Sequence, residues 1–163
     1  RYDKGLDILI KALQGVTGDF ELLIAGAEDA LKREEIEELA RPYRDRVKLH
    51  LNFLTDEEFE MAIQAVDAIV LPYRKTFNGA SGPLGEGVAK GKMIIAANHG
   101  SLGDIVEKNH LGYTFESENI EALKKVLNMA IQRTNYTYDE KANAYKNKLS
   151  INEFKKQYCK LYF

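Results

Sequence analysis

The chain has 163 residues, enough for one domain with a sizeable core but too few for two independent domains. Its 23 lysines and arginines oppose 25 aspartates and glutamates, which gives a formal net charge of −2. This balance excludes a global basic field of the kind that recruits nucleic acid, so we expect no nucleic-acid partner and only local sites for anions.

Cysteines and histidines are too few and too scattered for several classes of site. The one cysteine, Cys159, cannot form a disulfide within the chain, and the three histidines have no metal-ligand spacing. No Asp-x-Asp metal motif occurs, and we expect neither a metal nor another cofactor. The first residues lack the apolar core and cleavage site of a signal peptide, and the apolar runs are too short to span a bilayer. We therefore expect a cytoplasmic protein, one that can work at the inner face of the membrane.

Helical and β-rich patterns alternate along most of the chain. The first helix has an apolar face made of Leu6, Leu9, Ile10 and Leu13. Five runs have the composition of strands: residues 20–27, 47–54, 68–73, 93–98 and 112–116. Further helical patterns occur at 28–43, from 55 onward, after 81 and at 119–133. The helix from 55 has a well-marked start, because Thr55 and Glu58 have the spacing of a capping box.

This alternation predicts an α/β fold, a doubly wound and mostly parallel sheet with helices on both faces. Residues 68–73 and 93–98 are almost continuously apolar, which is typical of strands covered on both sides. We expect this domain to span residues 1–133. A helical appendage at 134–163, made of two polar segments, then packs on the same domain; the segments are 138–149 and 151–162.

In doubly wound sheets, ligands bind outside the carboxyl ends of the strands, so the informative residues lie in the loops that follow them. The loop after the third strand leads into residues 77–92, which contain five glycines and one proline. Ser81, Gly82 and Pro83 have the composition of a helix start. Backbone amides near Gly82 to Leu84 would then face a ligand above the sheet, and a diphosphate suits them. Alternatively, these glycines only form a tight turn.

Charged residues add to this candidate site. Glu86 has two carboxylate oxygens that can accept both hydroxyls of a ribose; alternatively, it is a solvated helix residue. Lys4 puts a cation at the start of a helix, where the macrodipole favours anions. A bound phosphate would resolve that conflict, although a solvated lysine is the simpler reading. Arg74 and Lys75 follow a strand end, where they either add positive charge beside the same crevice or are surface charges.

Several segments, in their order and spacing, carry a family resemblance: "KGLDILIKAL", "FELLIAG", "VKLHLNFLTDEEFEMAIQAVDAIVLPY" and "GPLGEGVAKGKMIIAANHGSLGDIVEKNHLGYTFESENIEALKKVL". With these motifs the chain resembles the C-terminal, nucleotide-sugar-binding domain of glycosyltransferase family 4, whose enzymes have the GT-B fold. The resemblance covers residues 4–131. It implies a Rossmann-like sheet that forms the C-terminal half of that fold.

The resemblance implies roles for individual residues. The family's diphosphate-binding lysine, here the candidate catalytic residue, falls on Lys4, and its ribose-binding glutamate falls on Glu86. The other candidate contacts to the donor nucleotide are Ser81, Gly82, Pro83 and Leu84. The family's first glutamate, eight positions before the second, is replaced here by Asn78, and Ser81-Gly82 resembles a variant of that arrangement. The candidate contacts to the donor sugar or phosphates are Asn78, Arg74 and Lys75.

The function that the resemblance implies is donor binding in a retaining glycosyltransferase. Such an enzyme moves a sugar from a nucleoside diphosphate to a glycan or lipid-linked acceptor, for example in capsule or lipopolysaccharide synthesis. The acceptor would be bound by an N-terminal domain outside this sequence, through which the enzyme could also associate peripherally with a membrane. Two alternatives remain open: a nucleotide-sugar epimerase of the same architecture and a non-catalytic nucleotide-sugar-binding module.

Overall fold

The computed structural model describes residues 1–133 and 135–149. The strands in these residues are β1 (Leu22–Ala25), β2 (Val47–His50), β3 (Ala68–Leu71), β4 (Met93–Ala97) and β5 (Gly112–Phe115). The α-helices are α1 (Leu6–Leu13), α2 (Arg33–Leu39), α3 (Asp56–Ala65), α4 (Gly82–Ala89), α5 (Gly100–Lys108), α6 (Ile120–Gln132) and α7 (Glu140–Lys148). Short 3-10 turns occur at Tyr2–Lys4 and Arg41–Arg46.

Each predicted strand is present inside its predicted run, and all observed strand pairs are parallel. The predicted α/β class is therefore confirmed. The strands are shorter than their apolar runs, because the last residues of each run belong to the loop beyond the ladder. Helix α5 was not among the predicted elements, although it buries Leu102 and Val106.

The strands form two parallel sheets instead of one continuous sheet. One sheet pairs β1 with β2, and the other has the order β3-β4-β5. Within the described residues, β1 and β3 are not hydrogen-bonded neighbours, and an apolar groove of about 820 Å³ is lined by residues of both. An apolar pattern identifies a covered strand but not its hydrogen-bonding partner, which is why the sequence did not predict this division.

Helices cover both faces of the three-stranded sheet, as predicted. Strand β4 is buried along its whole length and alternates between two layers. Ile94 and Ala96 pack with α3, α4 and α5, whereas Met93, Ile95 and Ala97 pack with α1 and α6. This arrangement brings the carboxyl ends of β3, β4 and β5 to one edge, where the segment that leads from β3 into α4, with most of the candidate site residues, begins.

The capping box predicted at the start of α3 is confirmed. The hydroxyl of Thr55 accepts a hydrogen bond from the backbone N–H of Glu58, and the Glu58 carboxylate accepts one from the Thr55 N–H at 2.8 Å. The hydrogen bonds that the Glu58 carboxylate accepts from the N–H and the hydroxyl of Thr55 lower the pKa of Glu58 from its ordinary value. The two reciprocal bonds satisfy N–H groups that the first turn of a helix otherwise leaves unpaired.

The first of the two C-terminal helical segments contains α7, which packs against α4. Ala142 of α7 is fully buried in the core, and the hydroxyl of Tyr138 donates to the carbonyl of Lys92 at 2.7 Å. The second predicted segment, 151–162, lies outside the described residues. None of the helices that the structure describes has the length and apolar character needed to cross a membrane.

Candidate functional site

Helix α4 begins where the sequence predicted. Ser81 is its N-cap, with a side-chain oxygen that accepts a hydrogen bond from the backbone N–H of Leu84 at 3.3 Å, and Pro83 lies in the first turn. The hydroxyls of Ser81 and Tyr73 are also hydrogen-bonded at 3.1 Å. The start of α4 is therefore tied to the second residue after β3.

The glycines of α4 divide into two kinds. A Cβ added at Gly87 would lie 2.9 Å from the Ile69 side chain and 3.0 Å from that of Ile94, which would have to move, so close packing against β3 and β4 favours glycine there. A Cβ at Gly82 or Gly85 would meet no described atom within 4 Å, and neither glycine has a positive φ. Packing and backbone conformation thus do not require glycine at these two positions. Their effect is to leave the first turn of α4 open to close approach by another molecule.

Glu86 lies on the exposed side of the same helix, next to the buried Gly87 and Val88. In residues 1–133 and 135–149, no side chain or backbone group forms a hydrogen bond or an ion pair with its carboxylate. Within these residues, both carboxylate oxygens are available to accept hydrogen bonds from a ligand.

Lys4 ends the 3-10 turn that precedes α1, with Gly5 between the turn and the helix. Its Nζ lies 3.9 Å from the ring centroid of Tyr73 and 3.9 Å from that of Phe77. Burial lowers the pKa of Lys4 from its ordinary value, and the positive charge of Arg1 adds to the effect. The structure thus brings Lys4 to the segment between β3 and α4, and nothing in the sequence indicated its contact with the two aromatic rings.

The three candidate sugar or phosphate contacts differ in environment. Lys75 and Asn78 are exposed. Arg74 is buried, and its guanidinium donates to both carboxylate oxygens of Asp7 at 2.7 and 2.8 Å. It also donates to the carbonyl of Tyr2 at 3.1 Å. Much of the hydrogen-bonding capacity of Arg74 is therefore used within the chain, whereas Lys75 and Asn78 face the solvent.

Two contacts that fix the end of β3 were not predicted from the sequence. Ser117 is buried and donates a hydrogen bond to the carbonyl of Tyr73 at 3.0 Å. The N–H of Arg74 donates to the carbonyl of Asp3 at 2.9 Å. A lone serine after β5 and an aspartate near the N-terminus carry no sequence signal for such contacts, because the partners are brought together only by the fold.

A cavity of about 390 Å³ lies at the carboxyl end of β1, near the turn that carries Lys4. The residues that line it include Arg1, Tyr2, Gly26, Asp29 and Leu51. Its position agrees with the rule that crevices in such folds form outside the carboxyl ends of the strands. Among the residues that the structure describes, no group of three or more histidine, cysteine, aspartate or glutamate side chains is arranged to hold a metal.

A family model described as "Glycosyl transferases group 1" matches residues 1–148. Among curated relatives, a glycogen synthase of Pseudomonas syringae pv. syringae (strain B728a) is 25% identical over 132 residues, which cover 80% of this chain and 27% of the relative. A glycogen synthase of Pseudomonas savastanoi pv. phaseolicola is 24% identical with the same coverage. The chain thus spans about a quarter of the length of these relatives.

Solved structures show a similar fold. Anabaena Alr3699/HepE in complex with UDP aligns with a TM-score of 0.77 and 21% identity, over 99% of this chain and 45% of that chain. Sucrose-phosphate synthase from Thermosynechococcus elongatus aligns with a TM-score of 0.79 and 20% identity, over 99% and 42%. The catalytic domain of cholesterol-alpha-glucosyltransferase from Helicobacter pylori aligns with a TM-score of 0.69 and 18% identity, over 91% of each chain. At these identities the similarity establishes the fold.

Proposed function

This chain belongs to the glycosyl transferases group 1 family, and we propose that it is the donor-binding domain of a retaining glycosyltransferase of family 4. In this proposal it binds a nucleoside-diphosphate sugar, and the sugar passes to a glycan or lipid-linked acceptor held by another domain. Capsule or lipopolysaccharide synthesis is a setting that provides such acceptors. The observation that carries the proposal is the open first turn of α4, which follows directly on the segment that holds the Lys4 ammonium.

The nucleotide part of the proposal is supported by the solved relatives. HepE was crystallised with UDP, with UDP and glucose, and with UDP-glucose. This domain has the same fold, and the exposed carboxylate of Glu86 can accept hydrogen bonds from the hydroxyls of a ribose. We therefore place the ribose at Glu86 and the diphosphate between Lys4 and the start of α4.

Transfer of the sugar leaves negative charge on the departing diphosphate, which the site must stabilise. Lys4 can supply one positive charge, and backbone N–H groups in the first turn of α4 can add partial positive charge without a metal. Pro83 has no N–H, so Gly82 and Leu84 are the donors in this turn. The N–H of Leu84 already donates to the Ser81 hydroxyl, at a long 3.3 Å.

Of the remaining candidates, the exposed Lys75 and Asn78 fit contacts to the donor sugar or phosphates better than Arg74 does.

A panel of UDP, GDP and ADP, each with its matching nucleoside, tests this function by thermal shift and calorimetry. We expect one diphosphate to raise the melting temperature by several degrees, because a ligand at 100 times its dissociation constant adds about 2.7 kcal/mol to the free energy of unfolding.

The Lys4→Ala substitution should weaken the binding of that diphosphate at least about tenfold, which corresponds to the loss of one charge-assisted hydrogen bond. It should leave the affinity for the nucleoside unchanged. Lys125→Ala, which removes an exposed lysine of α6, is the matched control. If no diphosphate stabilises the chain, the proposed function is wrong.

A further inference from the structure

The ammonium of Lys4 lies against two aromatic rings that are both on the same side of it. Nζ is 3.9 Å from the centroid of Tyr73 and 3.9 Å from that of Phe77, and the two centroids are 4.4 Å apart. A sandwich around the ammonium would place the centroids about twice 3.9 Å apart. At 4.4 Å, with the ring planes inclined at 54°, the rings form a one-sided support and leave the opposite side of Nζ clear of them.

The two rings are held firmly in place. Tyr73 and Phe77 are both buried in the core. The carbonyl of Tyr73 accepts a hydrogen bond from Ser117, and its hydroxyl is hydrogen-bonded to Ser81 at the start of α4. The position of the Lys4 ammonium is therefore linked, through one aromatic side chain, to the N-cap of α4.

Lys4 has no anionic partner of its own in the part of the chain that the structure describes, since no carboxylate lies within 4 Å of Nζ. The nearby Asp3 is paired with Arg1 at 2.6 Å. The faces of aromatic rings attract a cation through their quadrupole, which stabilises an ammonium without neutralising it. The arrangement thus holds the Lys4 ammonium beside the rings without a neutralising carboxylate.

We propose that Tyr73 and Phe77 are positioning residues that hold the Lys4 ammonium in register with the start of α4, so that both contact one diphosphate group. This inference rests on the proposed function. The inference goes beyond the proposed function by assigning a role to two buried aromatic residues. It predicts that the effect of the Phe77 ring on binding acts only through Lys4.

Phe77→Leu is the principal test, because it removes the ring while keeping an apolar side chain of similar size. We expect the best-binding diphosphate of UDP, GDP and ADP to bind about two- to tenfold more weakly, the factor that corresponds to loss of one partly buried cation–π contact. The matching nucleoside should bind equally well to both proteins. In the Lys4→Ala background, Phe77→Leu should cause no further loss, because the cation on which the ring acts is absent. Tyr73→Phe retains its ring and should lose less affinity than Tyr73→Leu.

The Lys4 side chain also gives a signal that does not depend on a ligand. In a proton–carbon NMR spectrum, the Lys4 ε-methylene should be shifted upfield by the two rings relative to the other lysines, and Phe77→Leu should reduce that shift. Absence of the shift in the native chain overturns the inference, whatever binds. Equal diphosphate affinity of a folded Phe77→Leu variant, or a loss that persists in the Lys4→Ala background, overturns it while leaving the proposed function intact. If no diphosphate binds the native chain, the proposed function and this inference fall together.

Discussion

Asp7→Ala is expected to lower the free energy of unfolding by about 3 to 5 kcal/mol, because removing one partner of a buried ion pair leaves the other charge buried and uncompensated. Asp7 accepts two hydrogen bonds from Arg74, whose side chain is only 8% exposed. Glu118 lies 3.8 Å from the guanidinium and Tyr2 stacks on it, so the effect should fall near the lower end of that range. Urea unfolding measures the change.

Asp45→Ala is the matched control for this ion pair. The side chain of Asp45 is 95% exposed, so its removal should change stability by no more than about 0.5 kcal/mol. In the double variant Asp7→Ala, Arg74→Met, much of the stability should return, because an apolar side chain replaces the unpaired charge. A cost for Asp7→Ala as small as that for Asp45→Ala would contradict the buried pair.

Gly112→Ala is expected to prevent folding or to cost more than about 4 kcal/mol, a size reserved for a few severe mechanisms. Gly112 begins β5 with φ of +150°, and an added Cβ would lie 2.1 Å from the backbone oxygen of Ile94 and 2.8 Å from its nitrogen. Backbone atoms of the fully buried β4 cannot give way as a flexible side chain can. Circular dichroism and urea unfolding measure the loss.

Gly85→Ala is the control for this substitution. Gly85 lies inside α4, and an added Cβ there meets no described atom within 4 Å. Since alanine favours a helix interior over glycine by about 1 kcal/mol, this variant should be as stable as the native chain or more stable. If Gly112→Ala is tolerated equally well, the close approach of β5 to β4 is not as the structure describes it.

The secondary structure could largely be predicted because its signals are local. The capping residues Thr55 and Ser81 lie within three positions of the amides that they cap, so their roles are visible in the sequence. The pairing of Asp7 with Arg74 joins residues 67 positions apart. In sequence, Asp7 is an ordinary acidic residue in the first turn of a helix, where the macrodipole alone accounts for it.

The candidate site was predictable in its parts but not in its assembly. Composition predicted the start of α4, yet it could not distinguish Gly87, where close packing favours glycine, from Gly82 and Gly85, which leave space. The contact of Lys4 with Tyr73 and Phe77 depends on how the N-terminal turn docks beside the end of β3. Docking of this kind is a tertiary property, and neither periodicity nor motif spacing contains it.

The central claim is that a donor nucleotide binds at the start of α4 with its ribose on Glu86. The most direct test compares the native chain with Glu86→Gln, using the best-binding diphosphate of UDP, GDP and ADP and its 2′-deoxy form in calorimetric titrations. We expect Glu86→Gln to weaken the binding of the ribonucleotide by about 1 to 3 kcal/mol, because an amide accepts hydrogen bonds only at its oxygen and charge-assisted bonds are the stronger ones. The melting temperature of the unliganded chain should not change. The deoxynucleotide should bind the native chain more weakly, and should lose little further affinity in the variant, since both changes remove the same contact. Glu107→Gln, at an exposed glutamate of α5, should change neither titration. Binding of the ribonucleotide by a folded Glu86→Gln chain with native affinity would contradict the assignment.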